Sequence, residues 1–467
     1  MSFNIEGSLY ELVARGNKDV YFIDDAKTAK NLFDTRYGPT PPHLHEIRRL
    51  PPLNTADFGR SFEFQIEIAG DVFIDPTLLI DLPSWLPPTQ TSLNPQSVVT
   101  DTAGVSYGYT NGIGFFMFEK IHLLQDNILL QEFSGDALWA TSRSRGSLNS
   151  ALLDNKVTGI HDGTPLSIAR AATPGRLRLQ LPLFGCQGSD DGGFPAYSTP
   201  QQTYRLRCFL RRLEDLVEAS NGQAKPTPWS SILQIQSSRN GPIQTFTTLD
   251  RSAIGPPTVV LETRHVYMDG ETQQAMKKGK QEIVFERLYE NVYSQSQNDY
   301  TPIARGAVAA ITRRLEGVHP TSRIVSFFRS SSSIQSNQLW NLTNTPSNPS
   351  FYTNLKLLVA GRDRESLFSP FIWKTLVSHA KAERDPGLEL ITMDWTLGDI
   401  RNPSSTQGHG QRQRQPDGTI NMSTADRPTF LIQLEAAATN KTELRVIVET
   451  WATCVAENQR ISLLYAN

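Results

Sequence analysis

Apolar and polar residues alternate in short runs along most of this chain. In SFEFQIEIAGDVF, Phe62, Phe64, Ile66 and Ile68 alternate with Glu63, Gln65 and Glu67. A two-residue period sends successive side chains to opposite sides of an extended backbone, so this run predicts a strand with one wet face. Gly70-Asp71 closes it as a turn. The stretch NGIGFFMFEKIHLLQDNILLQEF, residues 111–133, behaves similarly. Phe115, Met117, Ile121 and Leu123 share one parity, Gln125-Asp-Asn127 supplies a turn, and ILLQEF returns. That pattern predicts a hairpin covering a core. Further strands are expected at RLRLQLPLF (Arg176–Phe184) and YRLRCFLRRL (Tyr204–Leu213). Others follow at TVVLETRHVYM, KQEIVFERLY, RIVSFF, LELITMDWTL, TFLIQL and ELRVIVETW. In TPIARGAVAAITRRLEG (301–317), Ile303, Val308, Ile311 and Leu315 could equally mark a helix, and the pattern leaves the choice open.

Between these runs the breakers set the organisation. Ser8-Leu-Tyr-Glu11 has capping-box spacing and predicts a short helix ending near Gly16. Five prolines between Pro39 and Pro52 then argue against regular structure and suggest an extended strap. A Pro-, Ser-, Gln- and Asn-rich stretch from about Asn221 to Pro257 is the expected domain connection. Two polar segments, Arg329–Ser350 and 401–418, read as exposed loops. Each half holds enough candidate strands for one antiparallel sandwich. The expected division is an arm over 1–55, a first sandwich over 56–235, a linker over 236–257 and a second sandwich over 258–467.

Composition narrows the class. Single cores stop growing near ~250–300 residues, and 467 residues therefore favour two domains. With 38% hydrophobic and 20% charged residues, 31 Gly and 29 Pro, the chain is globular and rich in turns. A formal net charge of −2 argues against an electrostatic, sequence-specific binder of nucleic acid. Cys186, Cys208 and Cys454 are too few and too scattered for a disulfide framework, and read as idle thiols of a reducing compartment. The start of the chain lacks the pattern of a secretory signal, and no window approaches a membrane span. The expectation is a soluble protein made in the cytosol.

Motifs for chemistry fail in turn. GxxxxGK[ST], HExxH and GxSxG do not occur. Gly112-Ile-Gly114 lacks the third glycine of a dinucleotide site. His43 and His45 could share one side of a strand as metal ligands, but no Cys or carboxylate run accompanies them. Asp24-Asp25 and Asp190-Asp191 are adjacent in sequence, whereas glycoside hydrolysis needs carboxylates facing across a cleft. Lys277, Lys278 and Lys280 read as a solvated hairpin tip, and Arg412 and Arg414 as loop charges. Asn341, Asn421 and Asn440 begin glycan-acceptor triplets expected to go unused. No catalytic, cofactor or metal residue is assigned, and the chain is not expected to be an enzyme. A carbohydrate-active sandwich remains the alternative, with Trp340, Trp373 and Trp395 as imaginable sugar platforms.

Several stretches taken together resemble the major capsid proteins of the nucleocytoplasmic large DNA viruses, of the iridovirus, phycodnavirus and marseillevirus kind. They are LVARGNKDVYF, IEIAGDVFIDPTLLIDLP, NGIGFFMFEKIHLLQDNILLQEFSGDAL and LPLFGCQGSDDGGFPAYSTPQQTYRLRCFL in the first half. VYMDGETQQAM, LEGVHPTSRIVSFF, LVAGRDRESLFSPFIW, DGTINMSTADRPTFLIQL and LRVIVETWATCVAENQRISLLYAN follow in the same order in the second. The compact length leans toward the marseillevirus-like group. The proline-rich strap after Tyr37 and the end of the chain depart from the family pattern.

The resemblance implies an all-β double jelly roll: two consecutive eight-stranded antiparallel sandwiches with a short N-terminal helix or arm and long surface loops. It implies that 301–317 ends in a strand. It implies a homotrimer of pseudo-hexagonal outline that tiles an icosahedral capsid around a large double-stranded DNA genome. The implied partners are other copies, minor capsid and penton proteins, and an inner membrane near the N-terminal arm. The implied location is the virion, after synthesis in the host cytoplasm.

Overall fold

A computed structural model describes residues 43–464. The stretches 84–97, 145–158, 184–192, 237–242, 246–253, 295–309, 378–387, 397–417, 424–427 and 436–441, with scattered shorter ones, lie outside the described residues. So do the expected helix near Ser8, the pair Asp24-Asp25, and Asp190-Asp191. His43–Asn467 is one compact unit.

Four antiparallel sheets carry the fold. Sheet one runs in the order His43–Leu50, Thr258–Met268, Val72–Asp81, Leu177–Gln180. Sheet two runs Ser61–Ile66, Tyr204–Leu210, Phe118–Gln125, Ile128–Phe133. Their apolar faces meet in one core, where Phe62, Phe64 and Ile121 pack in a cluster with Leu78, Ile80 and Leu261. Sheet three is built on Gln281–Ser294, Thr442–Glu457, Pro320–Ser330 and Leu390–Asp394. Sheet four runs Ala310–Arg314, Thr429–Leu434, Tyr352–Val359, Arg362–Phe368. Sheets three and four share a second core, with Ile324, Phe328 and Val446 clustered with Leu355, Phe430 and Ile432.

Local sequence explains much of this. Phe62, Phe64 and Ile66 are buried while Gln65 is exposed, as the alternation predicts. The hairpin after Phe118 turns at Asp126 and Asn127, whose φ values of 47° and 73° give the doubly left-handed turn that matches strand twist. Asp and Asn tolerate that conformation better than most residues. Segment 301–317 does end in a strand, Ala310–Arg314.

The structure also corrects several expectations. Phe115 does not sit in a strand: Ile113–Phe116 form a helical turn after Gly112, whose φ is 76°. The strap is not without regular structure either. His43–Leu50 pair along their whole length with Thr258–Met268, because the prolines flank this window without interrupting it. The supposed exposed loop Arg329–Ser350 buries Arg329, Ser333, Asn337, Leu339 and Leu342. Its start is a short helix, Ser331–Gln335, capped by Ser330, whose Oγ accepts from the Ser333 amide.

The sheets do not divide at residue 258. Thr258–Met268 belongs to sheet one, beside first-half strands, and sheet three begins only at Gln281. The expected linker also contains Ile243–Thr245, a short strand paired with Leu233–Gln236, which in turn pairs with Val98–Asp101. Lys277 ends a helix, Gly270–Lys277, rather than a bare hairpin tip.

The central strands of sheet three, Pro320–Ser330 and Thr442–Glu457, are largely buried on both faces. Ile324 and Phe328 join the second core, whereas Val325 and Phe327 of the same strand join the first. Val446 and Val448 likewise face one way and Ile447 the other. Adjacent residues on a strand point to opposite sides, so a sheet with both parities apolar can be gripped from two directions.

Candidate functional site

The polar features of the fold concentrate where first-half elements meet sheet three. Helix Gly135–Ser144 starts the site. The Ala137 amide donates to Ser134 Oγ at 2.9 Å, an N-cap that fixes the first turn. Gly135 is required here, since a Cβ would lie 2.2 Å from the Phe115 carbonyl oxygen and 2.4 Å from that of Phe118. Asp136 follows, fully buried at the helix N-terminus.

Three arginines converge on it from three strands or strand ends. Arg329 Nη2 donates to Asp136 Oδ1 at 2.7 Å, and Arg211 Nη2 to Oδ2 at 2.6 Å. Arg445 Nη1 lies 3.0 Å from Oδ2 and donates to Glu290 Oε1 at 2.6 Å. Glu443 Oε1 accepts from Arg445 Nε and lies 3.5 Å from Arg329 Nη1. Three guanidinium groups and three carboxylates therefore close a neutral cluster. Burial opposes the charged form of Asp136, but Arg329, Arg445 and Arg211 outweigh it and hold the carboxyl well below the usual range. Arg329 also lies 5.2 Å from the Phe327 ring centre and 5.9 Å from that of Phe116.

A second buried acid sits at the other contact. Glu218, on the short strand Val217–Ala219, accepts from Trp340 Nε1 at 3.0 Å and from the Asn111 amide at 3.3 Å. His161 Nε2 lies 3.3 Å from its other oxygen. Burial pushes Glu218 up to about 7, despite the hydrogen bonds from Trp340, Asn111 and Thr110. Beside it, Asn337 Nδ2 donates to the carbonyls of Glu214 and Val217, at 2.7 and 2.6 Å.

Glutamines complete the joint. Gln125 Nε2 donates to the Ile461 carbonyl at 2.6 Å, and Gln131 Nε2 to that of Glu286 at 3.1 Å. Each satisfies a backbone acceptor of the opposite half that burial would otherwise strand. A cleft of about 730 Å³ opens next to the cluster, its walls including Lys120, Glu132, Arg287, Glu290 and Arg445. Its charges are largely committed: Lys120 Nζ donates to Glu132 at 2.7 Å, and Arg445 is held as above.

The residues considered from sequence fall elsewhere. His43 and His45 stack edge to face, with ring centres 4.8 Å apart on an exposed strand, and no metal-holding group of three ligands occurs among the described residues. Lys280 pairs with Glu282 at 3.0 Å. The tryptophans do not line a platform. Trp340 binds Glu218, Trp373 is buried and donates to the Leu355 carbonyl at 3.2 Å, and Trp395 packs on the second core. Asn341 Oδ1 accepts from Thr343, Asn421 is exposed, and Asn440, Cys186, Arg412 and Arg414 lie outside the described residues. Cys208 and Cys454 are buried free thiols. The joint residues Asp136, Arg211, Arg329 and Glu218 were missed in the sequence. Only the placing of a charge within an otherwise apolar strand, as at Arg329, could have hinted at them.

A chain of this class, with two sandwiches locked through one shared sheet, has solved counterparts. No family profile matches the sequence, and no curated protein does. A PBCV-1 virus capsid structure matches 94% of this chain and 100% of its own, with a TM-score of 0.68 at 14% identity. The Faustovirus major capsid protein matches 91% of this chain and 93% of its own, with a TM-score of 0.61 at 11% identity. A chain in the structure of the Sputnik virophage aligns over 95% of this one and 93% of its own, with a TM-score of 0.53 at 10% identity. The shared property is the fold, the all-β double jelly roll that the sequence resemblance implies.

Proposed function

We propose that this chain is a viral major capsid protein, a building block rather than an enzyme. The observation that carries the reading is the joint. A neutral buried cluster, a doubly buried sheet and side-chain bonds to opposing backbone join the two sandwiches into one body. A tile must transmit lateral force without hinging, and the fold invests its buried polar groups in that task. The likeness to capsid chains supports the same reading.

Three copies assemble into a capsomer of pseudo-hexagonal outline, and capsomers tile an icosahedral shell around a large double-stranded DNA genome. Trimers need closed symmetry and large interfaces rather than a reactive pocket. Minor capsid and penton proteins are the further partners, with an inner membrane near the N-terminal arm. The site of action is the virion, after synthesis in the host cytoplasm. The division into arm, first sandwich and second sandwich belongs to this proposal, with Thr258–Met268 counted with the first.

Native mass measurement and electron microscopy of the purified chain test it. A trimer that forms arrays or shells is the expected result. A monomer at every concentration and salt would remove the proposal.

A further inference from the structure

We propose that residues 370–377 of one copy pack on the outward face of sheet one of the next copy. The contact that joins the two sandwiches within a chain is thereby repeated between chains. The inference deepens the capsid reading and rests on it in one respect, that copies of this chain meet side by side.

The two halves follow one plan. With the strands of the four sheets numbered in chain order within each half, sheets one and three both run 1-8-3-6, and sheets two and four both run 2-7-4-5. A helix stands between the fifth and sixth strands each time, Gly135–Ser144 in the first half and residues 370–377 in the second. Phe133-Ser134 leads into one and Phe368-Ser369 into the other. The Ser134 carbonyl accepts from the Leu138 amide at 3.0 Å, and the Ser369 carbonyl from the Ile372 amide at 3.1 Å. Each helix buries a tryptophan, Trp139 or Trp373. Their surroundings differ. Residues Gly135 to Ala140 are all buried, because the first helix lies against sheet three, where Trp139 meets Phe327 and Asp136 meets Arg329 and Arg445. Within Ile372–Leu376 of the second helix only Trp373 is buried. Phe371 is 61% exposed and Leu376 is 44% exposed. Large apolar side chains grouped at a surface mark a contact, and the first helix shows which surface covers its counterpart: the first sheet of the following sandwich. For the second sandwich of a chain, that sheet belongs to another copy.

The side chains on the two surfaces change together. Asp136 and Phe371 each lie two positions after the serine that precedes their helix. Asp136 faces Arg329, near the end of the third strand of its sheet, and Arg445 on the eighth. Near the end of the third strand of sheet one stands Leu79, opposite Val260 of the eighth. Leu78, Ile80, Val259 and Leu261 point into the first core, so Leu79 and Val260, of the other parity, point outward. Both are half-buried. An acid thus meets arginines within the chain, and a phenyl ring meets aliphatic side chains between copies. The neighbouring charges have partners already: Arg49 with Glu262 at 2.9 Å, Arg176 with Asp81 at 2.9 Å, and Lys374 with Glu389 at 2.8 Å. Covering them leaves none of these charges without its counterion. Helix and sheet are different surfaces of one chain, so the contact is heterologous and can close a ring. Three copies then carry six like contacts around one axis, alternately within and between chains.

Native mass measurement of the full chain over a dilution series tests the contact. Phe371→Glu and Val260→Glu are each expected to raise the concentration at which half the chain is trimeric by about tenfold or more. The double variant Phe371→Glu with Val260→Lys should recover most of that loss, which damage to the fold would not allow. Cysteine variants keep the test independent of how a buried charge affects folding. A Phe371→Cys chain mixed with a Val260→Cys chain and treated with a bis-maleimide should link to it, above the background of the native cysteines. Neither variant alone should exceed that background. A trimeric wild type whose Phe371→Glu variant assembles at the same concentrations would overturn the contact and leave the capsid reading intact. Trimers in which the mixed cysteine chains stay unlinked would do the same. A wild-type chain that is monomeric throughout the series would remove both.

Discussion

Asp136 and Arg329 meet at 2.7 Å inside the joint, one at the start of a first-half helix and the other at the end of a sheet-three strand. Both are nearly inaccessible, at 0% and 1% exposure. Such a bond need not add much net stability, because desolvation offsets its attraction. Breaking it from one side is another matter.

Asp136→Asn leaves Arg211, Arg329 and Arg445 crowded without their central anion. The expected loss is about 3–5 kcal/mol, read as a lowered urea midpoint. Because the folded carboxyl titrates below its usual range, its contribution is present above the ordinary carboxylate value and lost as pH falls through the depressed one. Asp136→Asn should therefore differ most from wild type at neutral pH and converge with it in strong acid.

Glu218 carries the opposite sign. Its folded value, pushed up by burial to about 7, lies above that of the unfolded chain. The neutral form contributes stability below the ordinary carboxylate range, and that contribution is lost as pH rises toward and through 7. Urea unfolding of wild type should weaken from about pH 5 to about pH 8, by up to about 3 kcal/mol from this group. In Glu218→Gln the decline should be much flatter over the same window. Equal slopes in the two proteins would refute the assignment.

Phe327 and Phe328 are neighbours in sequence that serve different cores. Each truncation to alanine should cost about 3–5 kcal/mol, but through different packing. Phe327→Ala removes the edge-to-face partner of Trp139, whose ring centre is 6.0 Å away. Phe328→Ala removes the ring that stacks with Phe351 and Tyr352 at 5.8 and 6.0 Å. A double-mutant cycle of Phe327→Ala with Trp139→Ala should show coupling of about 0.5–1.5 kcal/mol, and one pairing Phe328→Ala with Trp139→Ala should show far less.

Gly135→Ala tests the close approach beneath the helix. Its Cβ would meet the Phe115 and Phe118 carbonyl oxygens at 2.2 and 2.4 Å, both backbone atoms that cannot swing aside. Overpacking of this kind costs at least about 1–3 kcal/mol, measurable as a drop in Tm.

The strands were legible wherever one face is wet. Phe62, Phe64 and Ile66 advertise their sheet face because Glu63 and Gln65 lie between them. In TSRIVSFFRS the same reasoning loses its footing, since both parities are buried and the period vanishes. The joint was hidden for a related reason. Arg329 and Asp136 are 193 positions apart, and each alone reads as an ordinary surface charge. Arg329–Ser350 looked like a loop because its serines and asparagines are polar. Folding buries Ser330, Ser333, Ser336 and Asn337 among them by giving each a capping or backbone partner, as Ser330 gives Ser333 and Asn337 gives Val217.

By itself, the amino-acid order determined the elements: alternating runs, turn residues at Asp126-Asn127, and breakers that hold strands short. These depend on neighbours a few positions away, where backbone geometry and side-chain period act directly. Only the tertiary structure decided that Thr258–Met268 sits in sheet one, that the central strands of sheet three serve two cores, and that Asp136 gathers three arginines. Those outcomes are set by contacts between distant segments, and no local period encodes which distant surface will exclude the water.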